Sequence, residues 1–227
     1  MDLEQIVRSL HHPDLDERLR SISTLRAYDS SVAVPLLCGC VQDPEFIVRS
    51  LVATILGYHR MPAAFLSLVQ LLERDEDAHV RGAAASALAL FGEPAIVPLL
   101  NICRRDRHWF VRRSIINALM GLPLSGDLSV ELFNLCALAL RDPQESVQQV
   151  GIEALRVFAN TPLRTAALDK LIPLAKAGSW QIRMAVCRSL HHFDHHQARE
   201  ALIHLRQDPD HRVVGAALEG LVHRCHA

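Results

Sequence analysis

The chain of 227 residues has few aromatic side chains, only two lysines and no excess of charge of either sign. Aromatic residues make up 5% of it while apolar residues make up 50%, which favours a core of tightly packed leucine, valine and alanine. The 24 basic and 25 acidic side chains nearly cancel. Because nucleic-acid-binding domains usually carry a basic excess, this balance argues against nucleic acid as a partner.

Long apolar runs are absent as well. No run approaches the roughly 18 residues of a membrane-spanning helix, so the sequence predicts no membrane insertion. The N-terminal segment MDLEQIVRSLHH contains acids and no long apolar core, which argues against a signal peptide. We therefore expect a cytoplasmic protein.

The cysteines do not form an obvious disulfide framework. Most fall on apolar stripes of predicted helices, where cysteine behaves as a small hydrophobe, and this usage fits a reducing compartment. The six positions are Cys38, Cys40, Cys103, Cys136, Cys187 and Cys225. The sequence also has no glycine-rich phosphate loop, nucleophile elbow or HExxH motif, so it identifies no catalytic residue.

One pattern recurs seven times along the chain at spacings of 31 to 36 residues. A leucine column contains Leu25, Leu56, Leu88, Leu119, Leu155, Leu190 and Leu221. Seven residues earlier lies a mostly arginine column, Arg18, Arg49, Arg81, Arg112, Gln148, Arg183 and Val214. Six residues before that lies a mostly aspartate column, His12, Asp43, Asp75, Asp106, Asp142, Ala177 and Asp208. Self-similarity at this period predicts a repeat array.

Each repeat is predicted to contain two helices joined by a short turn. In the third repeat, Val80, Ala84, Ala87 and Leu88 fall at the spacing of one apolar helical stripe. The aspartate of the turn is expected to cap the second helix. We predict an all-α solenoid of about seven repeats in a single domain spanning 1–227. The expected repeats are 1–28, 29–59, 60–91, 92–122, 123–158, 159–193 and 194–227.

These columns, as in DPEFIVRSLVATIL and in the helix DAHVRGAAASAL, resemble HEAT repeats of the short bacterial kind, the phycobilisome-lyase-like class. The segment RRDRHWFVRRSI and the lack of a second domain resemble the bilin lyase subunits and NblB-type phycobilisome-degradation factors of that class. The resemblance implies a right-handed solenoid with the second helices on its concave side. It also implies binding of a phycobiliprotein, transient contact with an open-chain tetrapyrrole, and bilin attachment, detachment or phycobilisome turnover. If the chain is half of a paired lyase, a second HEAT-repeat chain is required.

The arginine-rich turn of the fourth repeat is the first candidate site. Arg105, Arg107, His108, Trp109 and Arg113 crowd the end of one predicted helix and the start of the next. Arginine pairs bidentately with carboxylates or phosphates, which favours an anionic partner. The alternative is that these arginines only complement a helix C-terminus or lie in solvent.

An aromatic column is the second candidate, because Phe46, Trp109 and Trp180 all stand three residues before the arginine column. Equivalent positions of a solenoid share one edge, so the rings are expected to anchor a partner or stack on a conjugated ligand. The alternative is that the rings pack beneath the neighbouring turn. We select Trp109 and Trp180 as partner-binding residues.

A histidine run, His191, His192, His195 and His196, is the third candidate. Histidine binds zinc or nickel, but the run has no fixed ligand spacing and a solvated loop is the favoured interpretation, so no metal site is predicted. Cys38 and Cys40 are similarly interpreted as core residues. The predicted function is therefore recognition of another protein, a phycobiliprotein in particular. The alternative is a non-catalytic adaptor or an assembly scaffold, including one for metal or iron–sulfur assembly.

Overall fold

A computed structural model describes residues 2–123 and 125–224, with side chains described as far as residue 219. This part of the chain contains fourteen α-helices and no strand. Three short 3₁₀ segments, Ala89–Phe91, Glu93–Ala95 and Leu155–Phe158, lie between or after them. None of the described helices is both long enough and apolar enough to cross a membrane.

The helices fall into two compact units, residues 1–124 and 125–227. The first unit contains α1 (Leu3–Ser9), α2 (Leu15–Leu25), α3 (Ser30–Gly39), α4 (Phe46–His59), α5 (Pro62–Arg74), α6 (Ala78–Leu88), α7 (Ile96–Arg105) and α8 (Trp109–Met120). The second contains α9 (Gly126–Ala139), α10 (Glu145–Ala154), α11 (Arg164–Leu174), α12 (Trp180–Leu190), α13 (His196–Leu205) and α14 (His211–Arg224). In each repeat the first helix has an odd number and the second helix has an even number. The prediction of one continuous domain stays a prediction.

The cores of both units are built from the columns that recur in the sequence. The six described leucines of the leucine column are all fully buried, and Leu221 lies beyond the described side chains. In α6 the predicted stripe of Val80, Ala84, Ala87 and Leu88 is buried. Burying these faces against neighbouring helices supplies the main favourable free energy of folding, because no single helix pair can cover its own apolar stripe.

Small residues allow neighbouring helices to approach closely. A Cβ added at Gly57 of α4 would lie 2.8 Å from the Cβ of Ala87 in α6. In the second unit, a Cβ at Gly151 of α10 would lie 2.7 Å from the Cβ of Ala139. Glycine at these places therefore sets the distance between neighbouring helices.

The expectation that the repeat aspartates cap the second helices is wrong in detail. The carboxylate of Asp43 accepts a hydrogen bond from the backbone N–H of Glu45, and α4 begins only at Phe46. Asp75 binds the backbone N–H of Asp77 in the same way, and Asp77 itself caps α6. The aspartate column therefore holds the turn before the helix, and the capping position lies two residues later.

Candidate functional site

A ladder of buried ion pairs joins successive turns within each unit. Each pair links a repeat arginine to the aspartate of the following repeat: Arg18–Asp43, Arg49–Asp75, Arg81–Asp106 and Arg183–Asp208, at 2.7 to 3.0 Å. The same guanidinium also donates to two backbone carbonyls of its own turn, as Arg81 does to Asp75 and Glu76. The turns are thus held in place from both sides, which positions any side chain that they carry.

The ladder has a matched gap in the second unit. Gln148 and Ala177 stand where most repeats have the arginine and the aspartate, so both partners of one pair are replaced together. Gln148 keeps the bond to its own turn, donating to the Asp142 carbonyl at 2.7 Å. Because an unpaired buried charge is expensive, the joint replacement avoids leaving one.

Other hydrogen bonds cross this gap between the fifth and sixth repeats. The Ser179 hydroxyl donates to Glu145 Oε1 at 2.6 Å, and the fully buried Ser189 hydroxyl donates to the carbonyl of Ile152 at 2.9 Å. Neutral or singly charged bonds therefore replace the ion pair at this boundary.

The arginines predicted around the fourth turn divide into paired and unpaired groups. Arg105 forms an ion pair with Glu73 of α5 at 3.1 Å, with 62% and 38% of the two side chains exposed. Within the described part of the chain, Arg107 and Arg113 are exposed and form no ion pair with another side chain. Arg107 and Arg113 are therefore the arginines of this group that remain available to a partner's carboxylates.

A cleft of about 360 Å³ lies between the inter-helix turns of the third and fourth repeats. Its lining includes the ladder pair Arg81 and Asp106 together with Arg105 and Arg107. A similar cleft of about 470 Å³ one repeat earlier contains Arg49, Asp75 and the acidic Glu76. Equivalent clefts thus differ in charge, since the third turn presents Glu76 where the fourth presents Arg107.

Five rings form an aromatic row at the start of three successive second helices. The ring centroid of Phe46 in α4 lies 6.0 Å from that of His79 in α6, and the His79 centroid lies 5.1 Å from that of Phe110 in α8. Phe110 meets Trp109 edge-on at 5.9 Å, and Trp109 stacks on His108 at 5.9 Å. Phe46 is 39% exposed and Trp109 is half-buried. The structure therefore connects the predicted Trp109 and His108 with rings from two neighbouring repeats.

Sequence reasoning missed two members of the aromatic row. His79 and Phe110 stand two residues before the repeat arginine, one position after the aromatic column that we selected. A Cβ added at Gly82 would lie 2.6 Å from the Phe110 ring, so Phe110 packs over α6 and bridges the two helices. For Phe110 the usable signal was the glycine that follows the arginine of the preceding repeat. The equivalent residue one repeat before His79 is Ser50, so no such signal in the sequence marked His79.

Trp180, in the second unit, has a different environment from Trp109. The Arg212 guanidinium lies 3.3 Å from the centroid of the Trp180 ring and is itself bound to Asp210 at 2.7 Å. One face of Trp180 is therefore covered by a cation–π contact within the protein. Trp180 stays a predicted binding residue, and any ligand would have to use its other face or displace Arg212.

The histidines of the run contact different partners. His191 Nε2 lies 2.7 Å from the Ala216 carbonyl oxygen, while the rings of His195 and His196 are tilted by 37° with their centroids 4.4 Å apart. Burial lowers the pKa of His192, and the positive charges of Arg156 and His191 lower it further. In residues 2–123 and 125–224, no three histidine, cysteine or acidic side chains are grouped so that they could hold a metal ion.

The repeat columns match a known family model. The model for HEAT repeats matches residues 39–120 and 134–222, which together make up most of the chain. The chain belongs to the HEAT-repeat family. The predicted all-α solenoid class is thereby confirmed for this HEAT-repeat protein, in agreement with the paired helices of both units.

Solved structures of repeat proteins share the fold at low sequence identity. A chain from the complex of CpcE and CpcF of phycocyanin lyase from Nostoc sp. PCC7120 is 20% identical, with a TM-score of 0.56 over 99% of this chain and 88% of that one. YibA of Escherichia coli is 16% identical, with a TM-score of 0.62 over 97% and 92%. A designed armadillo repeat protein in complex with the peptide (KR)4 is 19% identical, with a TM-score of 0.59 over 86% and 100%. No curated protein shows significant sequence similarity to the chain.

Proposed function

We propose that this HEAT-repeat protein recognises another protein through the aromatic row and the neighbouring arginines Arg107 and Arg113. The observation that carries the proposal is the combination of partly exposed rings on three adjacent helices with two exposed, unpaired guanidinium groups. Tryptophan and arginine are enriched among residues that dominate binding energy at protein interfaces. Ile47, beside Phe46, adds a further aliphatic side chain that is 44% exposed.

A phycobiliprotein is the specific partner that we propose. The resemblance of the repeats to the phycobilisome-lyase-like class supports this partner, as does the likeness to a chain of the phycocyanin lyase complex. In this role the arginines would meet acidic side chains or tetrapyrrole propionates, and Trp109 would anchor the partner. The process would be bilin attachment, bilin detachment or phycobilisome turnover.

Mixing the protein with a holo-phycobiliprotein tests both levels of this proposal. We expect co-elution in size-exclusion chromatography and a change in the visible absorbance if the bound bilin is attached, released or rearranged. Co-elution with an unchanged spectrum would favour the alternative function, a non-catalytic adaptor. Failure to co-elute with either the holo form or the bilin-free form would overturn the phycobiliprotein proposal.

A double variant tests the proposed surface. Replacing Trp109 by Ala together with Arg113→Glu should weaken partner binding by at least about tenfold, since truncation of a hot-spot side chain costs roughly 2 kcal/mol or more. The melting temperature should change little, because Arg113 is exposed and Trp109 is only half-buried. A large drop in melting temperature would show instead that the pair supports the core.

A second HEAT-repeat chain is also a proposed partner. The support is that the phycocyanin lyase structure similar to this chain is a complex of two proteins, CpcE and CpcF. Co-expression with a HEAT-repeat protein encoded nearby should give a stable heterodimer by light scattering. Recovery of the two proteins as separate monomers would contradict this part of the proposal.

A further inference from the structure

We infer that the aromatic row is a binding track for an extended peptide segment of about seven residues, basic at one end, apolar in the middle and acidic at the other. The inference rests on the proposed protein-binding function and names the kind of segment recognised. It depends on the length of the row, on its apolar middle and on the opposite charges at its two ends.

The length of the row sets the length of the segment. The row begins on α4, crosses α6 and ends on α8. Consecutive ring centroids from Phe46 to His108 are 5.1 to 6.0 Å apart, so the row of five rings is at most about 23 Å long. An extended chain rises about 3.3 Å per residue, so a segment of about seven residues covers this distance from its first to its last residue.

The middle of the row requires apolar side chains. His79 lies between Phe46 and Phe110, with ring centroids at 6.0 and 5.1 Å. In an extended segment alternate side chains point to the same side, so every second residue would meet the rings. Aromatic or branched aliphatic side chains at two of these positions would cover the exposed ring surface.

The α4 end of the row is acidic. Glu45 immediately precedes Phe46, is exposed and makes no capping hydrogen bond with its side chain. Glu76, in the next turn, is 92% exposed and only 3.9 Å from the buried Arg49. A basic residue of the segment would be attracted to this end.

The α8 end of the row is basic. Arg107 precedes His108, and Arg113 lies four residues after Trp109, which places it on the same side of α8. The repeat aspartates near the row are already neutralised, as Asp75 is by Arg49 and Asp106 by Arg81. Asp77, beside the middle of the row, caps α6 and lies 3.2 Å from His79 Nδ1. At the α4 end the exposed carboxylates Glu45 and Glu76 outnumber the exposed Arg74, so the charges left for a ligand are opposite in sign at the two ends of the row. The acidic end also disfavours single-stranded nucleic acid, which carries a negative charge on every residue.

A synthetic peptide provides the direct test. The probe is fluorescein-labelled lysine-threonine-phenylalanine-threonine-leucine-threonine-glutamate, in which the four non-threonine residues share one side. We expect saturable binding by fluorescence anisotropy and no saturable binding of a control in which serine replaces phenylalanine and leucine. A labelled seven-nucleotide oligothymidylate should bind more weakly than the peptide. Tighter binding of the oligonucleotide would overturn the inference.

Charge reversal identifies the basic end. In the full-length protein, Arg107→Glu with Arg113→Glu should weaken peptide binding about tenfold, which corresponds to roughly 1.4 kcal/mol. Replacing the peptide's glutamate by lysine should restore binding to this variant and weaken binding to the unmodified protein. The control variant Arg8→Glu with Arg164→Glu changes the net charge equally at two exposed arginines that do not belong to the row and should bind normally. Equal affinities for both double variants would contradict the inference.

The outcomes separate this inference from the proposed function. If the phycobiliprotein binds and the peptide does not bind at millimolar concentration, the extended-segment inference fails while the proposed function stands. If the peptide binds and the phycobiliprotein does not, the track is supported and the partner proposal fails. Self-association that disappears in the Trp109→Ala variant would assign the row to a second copy of this chain and overturn the inference.

Discussion

Arg49 and Asp75 form a side-by-side ion pair, with Nε 2.7 Å from Oδ2 and Nη2 2.9 Å from Oδ1. Only 9% and 5% of the two side chains are exposed. Arg49 also donates through Nη1 to the carbonyls of Asp43 and Pro44. One guanidinium thus joins the turn of its own repeat to the turn of the next, and the hydrogen bonds to Asp75 raise the pKa of Arg49.

Asp75→Ala should destabilise the protein by about 3–5 kcal/mol, because it removes the buried partner of Arg49 and leaves only the exposed carboxylate of Glu76, 3.9 Å away, as a counter-charge. It also removes the acceptor for the backbone N–H of Asp77. The measurement is the free energy of unfolding from urea titration followed by circular dichroism.

The double variant Arg49→Gln with Asp75→Ala should be clearly more stable than Asp75→Ala alone. It reproduces the natural combination of Gln148 and Ala177, in which the glutamine still binds its own turn. Replacing both members of a buried pair removes the uncompensated charge. If the double variant loses as much unfolding free energy as the two single variants lose together, the pair contributes to stability in some other way.

The Arg183–Asp208 pair should make stability depend on pH in the acid range. Hydrogen bonds from Arg183 hold the pKa of Asp208 below its ordinary value of 3.8. A lowered folded-state pKa contributes stability that is complete above the unfolded-state pKa of about 3.9 and is lost as the pH falls through the folded-state value.

We therefore expect the difference in unfolding free energy between the unmodified protein and Asp208→Asn to be constant from about pH 6 to 8 and to shrink below about pH 4. Urea titrations at a series of pH values measure it. A difference that grows as the pH falls would show that the sign of this linkage is wrong.

Gly57→Ala should cost about 1–3 kcal/mol, because the added methyl group collides with Ala87 of the neighbouring helix and backbone atoms must move. Gly39→Ala is the matched control, since a Cβ at Gly39 meets nothing within 4 Å. Alanine is favoured over glycine in helices by up to about 1 kcal/mol, so the control should be neutral or stabilising. Thermal unfolding of both variants is the measurement. A loss of stability in Gly57→Ala alone indicates close helix packing, whereas a loss in both variants indicates a general intolerance of alanine.

Cys40 and Cys187 should resist alkylation in the folded protein. Burial raises their pKa values to about 11 and about 12, with the nearby carboxylates Asp43 and Asp208 adding to the effect. Since the thiolate is the reactive form, iodoacetamide at about pH 8 should label the partly exposed Cys38 first. Peptide mass spectrometry with and without urea measures this order, and rapid labelling of native Cys187 would contradict it. Cys225 lies outside the described residues.

The repeat columns allowed the core to be predicted from sequence. Val48, Val80, Val111 and Val147 recur at one position before the arginine or glutamine column, and all four are buried. Recurrence at a helical period carries this information because each position performs the same packing role in every repeat.

The capping prediction failed because an aspartate before a helix can either hold the turn or cap the helix, and only the backbone geometry distinguishes the two roles.

The candidate site was predictable only in part. Arg107 and Trp109 were selected for their residue types. The structure places Trp109 in the last part of the aromatic row, and the exposed Arg107 precedes His108, the last ring of the row, in the sequence. The pairing of Arg105 with Glu73 was not apparent, because 32 residues separate the two in sequence. Nor was the Arg212 guanidinium over Trp180, which makes two tryptophans of the same column unequal.

The sequence by itself determined the repeat, the helical class and the buried columns, since these follow from short-range periodicity and from the need to cover apolar faces. Tertiary structure decided which charges are paired, which rings are covered and that His79 and Phe110 connect the predicted residues into one row. The physical reason is distance along the chain. Contacts between repeats join side chains about 30 positions apart, and their partners are set by the spacing and side-chain conformations of packed helices.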